Sequence, residues 1–498
     1  MKAPPDQPPA CDHHAGVKQR SVRAVKWSAL AEVLGRGAQP VVLLVLAKLL
    51  TPADFGVVGV AMIAIGLAQI FQEFGLGKTL IQTDHSLEAY ANNAFWISVG
   101  VALALYAAIF AFARPIANFF QSPESAAVLR VLGLHVVLTS LVSVHAAMLQ
   151  REIRFKALFL LRFLPALVMG GVSIGLALLG HGVWSLVWGT LGGAAAQVIL
   201  YWSACAWRPR FRFDGAAFGR MFAYSRWVLL ESMLAWLVSW GDSIALGHFL
   251  GPEALGAYRM GSMVVAYLSN IVFTPLVPVA LGLFSRLQAD RPALLDTLGK
   301  LTRIVVLLAL PIGVGAALVG ERAAVIVLGE PWLAAGVVVQ LMGLRMGLEW
   351  LVGLNSTAFS AVGRPELNVK TLVLAVIVSL PAYVWAAPYG MLAFCSARLL
   401  TAQVNNLIAY QFARRVLALP RRFLWDRVKL PLVACLGLAL GVGAILRLTP
   451  ATHAGWLVLA ILAGVAIYGG TLWLLDRATL RWGGNALRQM FARHAPAI

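Results

Sequence analysis

Charge is scarce in this 498-residue chain: Asp, Glu, Lys and Arg make up 12% of it, against 60% hydrophobic residues and a mean hydropathy of +0.80. Soluble domains carry roughly 25% charged residues, so the composition argues against a soluble fold. Cysteine is also rare. Cys11, Cys205, Cys395 and Cys435 lie far apart with no C-x-x-C spacing, so neither a zinc site nor a disulfide framework is expected, and they read as small apolar filler. No G-x-x-x-x-G-K-[ST] loop is present, which argues against ATP-driven export by this chain. The Pro-rich start lacks the apolar core and cleavage site of a secretory signal, and residues 1–26 read as a disordered cytoplasmic tail. No long polar loop interrupts the chain, so a soluble catalytic segment has no place to sit.

What is abundant is continuous apolar sequence. A bilayer core needs about 20 apolar residues per helix, and long runs without alternation favour helices over barrel strands. Spans are predicted near residues 27–49, 57–80, 92–113, 127–149, 158–179, 183–205, 227–249, 256–283, 302–320, 333–361, 369–387, 391–413, 430–447 and 455–475. The expected fold class is an all-α polytopic membrane protein of about 14 transmembrane helices.

The net charge of +19 would suggest nucleic acid as partner in a soluble protein. Here its distribution matters more. With the N-terminus inside, thirty of the 40 Lys and Arg fall in inside segments, while Lys48, Arg114, Arg130, Arg259, Arg322 and Arg447 fall outside. Cytoplasmic loops are enriched in Lys and Arg, so the excess is a topology signal with both termini cytoplasmic, and nucleic acid is not expected as a partner.

The chain also repeats itself. Leu49-Leu50-Thr51-Pro52-Ala53-Asp54-Phe55-Gly56 matches Phe249-Leu250-Gly251-Pro252-Glu253-Ala254-Leu255-Gly256 at an offset of 200, with a Pro and a Gly marking a turn in each. A second match joins Arg151-Glu152-Ile153-Arg154-Phe155-Lys156 to Arg364-Pro365-Glu366-Leu367-Asn368-Val369-Lys370. Both matches are six spans apart. They divide the chain into an N-lobe (27–210), a C-lobe (211–418), and a last part (419–498) with helices 13 and 14 and a cytoplasmic tail. Six is even, so this is a parallel repeat, a transporter design with its site between the halves.

Arg36-Gly37-Ala38-Gln39, the Leu49–Gly56 motif, Phe74-Gly75-Leu76-Gly77, Gln150–Lys156 and Gly363-Arg364-Pro365 together resemble the polysaccharide flippases. The chain is similar to the Wzx-type branch of the multidrug/oligosaccharidyl-lipid/polysaccharide exporter superfamily, nearest the lipopolysaccharide and colanic-acid-type exporters. The resemblance covers residues 20–420 and is strongest in the first 160. It implies a V-shaped bundle in a bacterial inner membrane that flips undecaprenyl-diphosphate-linked oligosaccharide units outward for lipopolysaccharide or exopolysaccharide biosynthesis. No cofactor is implied and no enzyme activity. The implied partners are the lipid-linked oligosaccharide, membrane lipids, a coupling proton or sodium ion, and polymerase and glycosyltransferase machinery. His248 stands where the family pattern more usually has Arg.

Ionisable groups inside a membrane are costly and tend to face a bundle interior or cavity. Glu32, Arg36 and Gln39 share one face of the first span, and Gln69 and Glu73 one face of the second. Glu231 and Asp242 return to nearly one face of the seventh. Arg345 and Glu349 form a stripe on the tenth, and Arg398 and Asn405 lie on the twelfth. Arg36, Gln39, Arg345 and Arg398 are the candidate substrate-binding set, because guanidinium binds phosphate in a bidentate fork; Arg162 is a weaker fourth cation. The bland account is that Arg345 pairs with Glu349, Arg36 with Glu32, and Arg162 snorkels. Asp242, Glu231 and Glu73 are candidates for a coupling ion, Asp242 first because no Lys or Arg lies at i±3 or i±4. His135 and His145 are titratable, or satisfied core histidines. Trp96, Trp236, Trp240 and Trp350 lie within spans and can stack on sugar rings. The competing readings are a multidrug or cation antiporter, which wants an acidic aromatic cavity, and a membrane polysaccharide polymerase or ligase.

The charge pattern makes a prediction about sidedness. A cysteine introduced in the 114–126 segment reacts with a membrane-impermeant thiol reagent in intact cells, and one introduced at Glu366 does not; labelling at Glu366 would invert the topology.

Overall fold

The computed structural model describes residues 40–73, 87–151, 155–211, 215–273, 276–449, 453–475 and 477. The described residues are helical almost throughout and include no strand. Ten helical segments are long and apolar enough to cross a membrane: Pro52–Gln72, Tyr90–Phe119, Ser125–Leu149, Leu160–Leu178, Val183–Ala204, Arg291–Leu328, Glu330–Ala361, Glu366–Tyr389, Trp425–Leu448 and Ala454–Leu475. Two shorter apolar helices, α1 (Pro40–Leu49) and Leu276–Arg286, accompany them. The helices Gly215–Phe273 and Met391–Leu417 are not among the ten. They carry Asp242, Arg259, Arg398, Asn405 and Asn406, so interior polar groups lower their apolarity.

The start of α2 (Pro52–Glu73) is legible in its chemistry. Thr51 and Asp54 form a reciprocal cap: the Thr51 amide and hydroxyl donate to Asp54 Oδ2 at 2.9 and 2.7 Å, and the Asp54 amide donates to Thr51 Oγ1 at 3.3 Å. Pro52 occupies the first helical position, where its missing N–H costs nothing. The repeated motif makes a similar junction. The helix Gly215–Phe273, here α3, breaks at Gly251 (φ 77°, ψ −175°), which only glycine adopts readily, and Pro252 opens its second arm. The expected turn between spans seven and eight is thus present at Gly251–Pro252, where two helical arms meet and Tyr258 of the second reaches Asp242 of the first.

The two motifs meet. A Cβ on Gly56 would fall 1.7 Å from the Pro252 carbonyl oxygen, and a Cβ on Gly256 would fall 1.8 Å from that of Pro52. The contact is reciprocal at equivalent positions, and only hydrogen fits between the backbones. Further along, Gly59 lies against Leu255, and Gly66 against Trp236 and Trp240, so α2 runs antiparallel to the first arm of α3. The second arm of α3 packs with α1 in a core of Ala47, Ala257, Met260 and Trp332, and Trp332 Nε1 donates to the Ala47 carbonyl at 2.8 Å. His248 stacks on Phe119 at 4.3 Å with Nδ1 2.7 Å from the Phe119 carbonyl, while Gln121 donates to the His248 carbonyl at 3.0 Å. In place of the Arg more usual in the pattern, His248 ties the two halves together.

Gly56→Ala should therefore cost at least about 1–3 kcal/mol through overpacking against an immovable backbone. Gly100→Ala, at a helical position with nothing within 4 Å, should be neutral or slightly stabilising. Thermal unfolding of both variants in detergent, followed by intrinsic tryptophan fluorescence, checks the contrast.

Candidate functional site

A compact polar cluster sits inside the C-terminal half, where four stretches of helix converge. Asp242 comes from the first arm of α3, Tyr258 from its second arm, Tyr383 from the helix Glu366–Ala386 and Arg398 from Met391–Leu417. Arg398 Nη1 lies 2.6 Å from Asp242 Oδ2, and the side chains are only 13% and 7% exposed. The Tyr258 hydroxyl donates to the same Oδ2 at 2.6 Å, while the Ser243 amide and hydroxyl donate to Oδ1 at 2.5 and 3.0 Å. The guanidinium also lies over the rings of Tyr258 and Tyr383, 5.6 and 5.5 Å from their centroids. Phe394 stands edge-on to Tyr258 at 5.6 Å and closes the apolar side.

Burial removes water from both charges, so each depends on the other and on these hydrogen bonds. Asp242 is fully served. Arg398 is not, because its Nε is buried without a hydrogen-bond partner among the described residues. The expectation that Asp242 lacks a cation holds along its own helix and fails in three dimensions, since the cation arrives from a helix more than 150 residues downstream. For the same reason Arg398 is not an unclaimed cavity cation. Tyr258 was not singled out from sequence, because the break at Gly251 interrupts the helical periodicity that would have placed it beside Asp242.

The other candidates are placed differently. Arg345 pairs with Glu349 at 3.1 Å, with side chains 26% and 48% exposed, so this i,i+4 pair contributes only about 0.3–0.5 kcal/mol. Arg345 Nε is buried without a partner among the described residues. Arg36 and Gln39 lie outside the described residues, as do the side chains of Glu73 and Glu231. Arg162 is exposed, as a snorkelling residue would be. Arg259, assigned by the charge pattern to an outside segment, lies within α3 with its guanidinium 4.1 Å from the Trp240 ring centroid.

The tryptophans are mostly engaged within the protein. Trp96 stacks on Phe211 at 3.8 Å, and Trp350 on Phe273 at 4.3 Å with Nε1 donating to Ser269 at 3.3 Å. Trp236 keeps a buried Nε1 without a hydrogen-bond partner among the described residues. His135 lies 3.3 Å from Gln69 Nε2, joining a seam in which Thr139 reaches Gln72 at 3.1 Å. His145 is fully buried, its ring packed among Phe95, Trp202 and Trp207. Among the described residues no group of three or more His, Cys, Asp or Glu could hold a metal ion.

This arrangement, a multi-helix bundle of long apolar helices with a buried ion pair at its interior, defines a polytopic membrane protein. The family described as "Polysaccharide biosynthesis protein" matches residues 45–337, more than half of the chain, and the chain belongs to it. It is 25% identical over 486 residues to the succinoglycan biosynthesis transport protein ExoT of Rhizobium meliloti (strain 1021), covering 95% of this chain and 97% of ExoT. It is 24% identical over 403 residues to the lipopolysaccharide biosynthesis protein WzxC of Escherichia coli (strain K12), covering 79% and 81%. The fold is similar to that of the lipid II flippase MurJ in an inward closed conformation, with a TM-score of 0.74, 13% identity, and 91% of this chain and 99% of that one covered. The chain is a transport protein of this superfamily and not an enzyme.

The ion pair makes a quantitative prediction. Arg398→Met leaves a buried carboxylate unpaired and should destabilise the protein by about 3–5 kcal/mol, whereas the double variant Asp242→Asn/Arg398→Met should recover most of that loss. A double-mutant cycle on thermal stability in detergent measures the coupling; additive effects would deny it.

Proposed function

We propose that this protein moves an undecaprenyl-diphosphate-linked oligosaccharide from the cytoplasmic to the periplasmic leaflet of a bacterial inner membrane. The observation that carries this reading is the near-complete alignment with ExoT, whose name makes it a transport protein for a biosynthetic polysaccharide. The fold likeness to a lipid II flippase supports a lipid-linked substrate. In this proposal the lobes at 27–210 and 211–418 alternate access about the contact between the Gly56 and Gly256 motifs, with both termini cytoplasmic.

The diphosphate is assigned to Arg345 and Arg36, with Gln39 beside Arg36. Arg345 is the stronger candidate of the described cations, because the carboxylate it pairs with is half exposed and thus screened. Arg398 takes another role. A proton or sodium ion that takes Asp242 leaves Arg398 buried without its counter-charge, a state costing several kcal/mol that rearrangement of its helix relieves. The Asp242–Arg398 pair is then the element through which a gradient biases the two states. Glu231 and Glu73 are secondary coupling candidates.

Arg36→Ala and Arg345→Ala should abolish surface polysaccharide while the protein stays inserted. Normal export by both variants would remove them from the site. In reconstituted vesicles Asp242→Asn should keep lipid-linked substrate binding and lose the response to an imposed proton or sodium gradient. An unchanged response would free Asp242 from coupling.

A further inference from the structure

Away from this cluster, a cavity of about 400 Å³ opens between the start of Arg291–Leu328 and the start of Trp425–Leu448. Its walls are Asp296, Gly299, Lys300 and Arg303, one face of the first helix at i, i+3, i+4 and i+7, and Asp426 and Arg427 from the first turn of the second. Lys300 and Asp296 pair with each other at 2.6 Å on the exposed rim. The two guanidinium groups then face one cleft with Asp426 as the remaining acid, itself 3.7 Å from Lys429.

Arg427 is held for use, not left to wander. Its Nε donates to the Gly299 carbonyl at 3.1 Å, its Nη1 to the Phe423 carbonyl at 2.5 Å, and its guanidinium lies 3.8 Å from the Phe423 ring centroid. Nη2 has no hydrogen-bond partner among the described residues. The seat depends on glycine, because a Cβ on Gly299 would fall 2.2 Å from Nη2.

The setting indicates what occupies the cleft. Trp425, 60% exposed beside Asp426, is an aromatic of the kind that marks the membrane–water boundary. Deeper along the same two helices the contact turns apolar, with Val306 and Leu310 against Val428 and Cys435, and Leu436 and Leu440 present exposed apolar surface. The segments 286–303 and 414–429 that flank the cleft hold ten Lys and Arg against three Asp. A cationic pocket at headgroup depth above an apolar helix surface fits a phospholipid whose phosphate lies in the pocket and whose chains run down the helices.

We propose that this cleft is a binding site for an anionic phospholipid, with Arg427 and Arg303 on the headgroup phosphate. The full-length protein is placed in nanodiscs of phosphatidylcholine with a minor fraction of phosphatidylglycerol, and lipid carried through detergent extraction is counted by native mass spectrometry. Phosphatidylglycerol should be enriched on the wild type. Arg427→Gln/Arg303→Gln should lower its retention by at least about tenfold, since the loss of even one charge-assisted hydrogen bond is worth that much. Gly299→Ala should act in the same direction by dislodging the guanidinium without changing charge, and its thermal unfolding in pure phosphatidylcholine shows that the fold survives. Arg421→Gln/Arg422→Gln removes equal charge from the same face outside the cleft and should retain the lipid. Equal retention by the Arg427/Arg303 variant, or equal loss in the Arg421/Arg422 variant, would overturn the site. Displacement of phosphatidylglycerol by equimolar farnesyl diphosphate would overturn the phospholipid assignment in favour of a prenyl-diphosphate ligand.

Discussion

The architecture depends on a contact too close for any side chain: Gly56 on Pro252, and Gly256 on Pro52. In a membrane, helices gain little from hydrophobic exclusion, since lipid tails are as apolar as leucine, and association rests on close packing and hydrogen bonds. Two backbones in van der Waals contact maximise that packing over a short length. The same contact aligns the two copies of the motif against each other, and the surrounding contacts extend it. Trp332 on Ala47 and His248 on Phe119 are hydrogen bonds from aromatic or imidazole nitrogens to main-chain carbonyls, each crossing between the halves. Together they define one end of the molecule as a joined end.

From that joint the first arm of α3 carries Asp242 and the second carries Tyr258, and the break at Gly251 lets the two converge on one carboxylate oxygen. Motif and polar cluster are thus mechanically adjacent. In the proposed alternating-access reading, a rearrangement of the halves about the glycine contact would move both arms, and a change in charge at Asp242 would alter what holds the arms to the helix of Arg398. Coupling of this kind needs no long pathway, only one element with two arrangements that two influences can bias. The buried, partnerless Nε of Arg398 fits such an element, because a fully satisfied network would have less reason to rearrange.

Much of the fold was legible because the bilayer leaves few choices. Runs of apolar residues had to be helices, and the segments bounded from sequence at 183–205 and 455–475 correspond to helices Val183–Ala204 and Ala454–Leu475. The Pro and Gly of the repeat were visible as turn signals, but not as partners, because a sequence displays backbone hydrogen only as the letter G. The site was legible in its members and not in its pairings. Asp242 and Arg398 were both singled out as interior ionisable groups, yet one was read as an unclaimed acid and the other as an unclaimed cation. Periodicity reports which residues share a face of one helix; it is silent on which faces meet. Arg345 with Glu349 was the exception, since both lie on one helix at i,i+4. Arg259, counted with the outside segments and lying near the start of the predicted span 256–283, sits in the second arm of α3 over the face of Trp240.

Three of the described interior arginines have partners of graded strength. Arg398 has a carboxylate buried as deeply as itself, Arg345 a half-exposed one, and Arg259 an aromatic face. A multiply charged phosphate competes poorly for the first, because displacing Asp242 would strand a charge in low dielectric, and better for the second, where Glu349 can turn to water. The third gives up a cation–π contact on release, about 0.5–2 kcal/mol, together with part of its attraction to the Asp242 carboxylate. In the proposed reading the cargo is a lipid-linked diphosphate that must be bound and let go, and cations graded in this way would span that range. In the proposed reading the half-screened Arg345, not the more deeply buried Arg398, is therefore the better suited to meet the diphosphate.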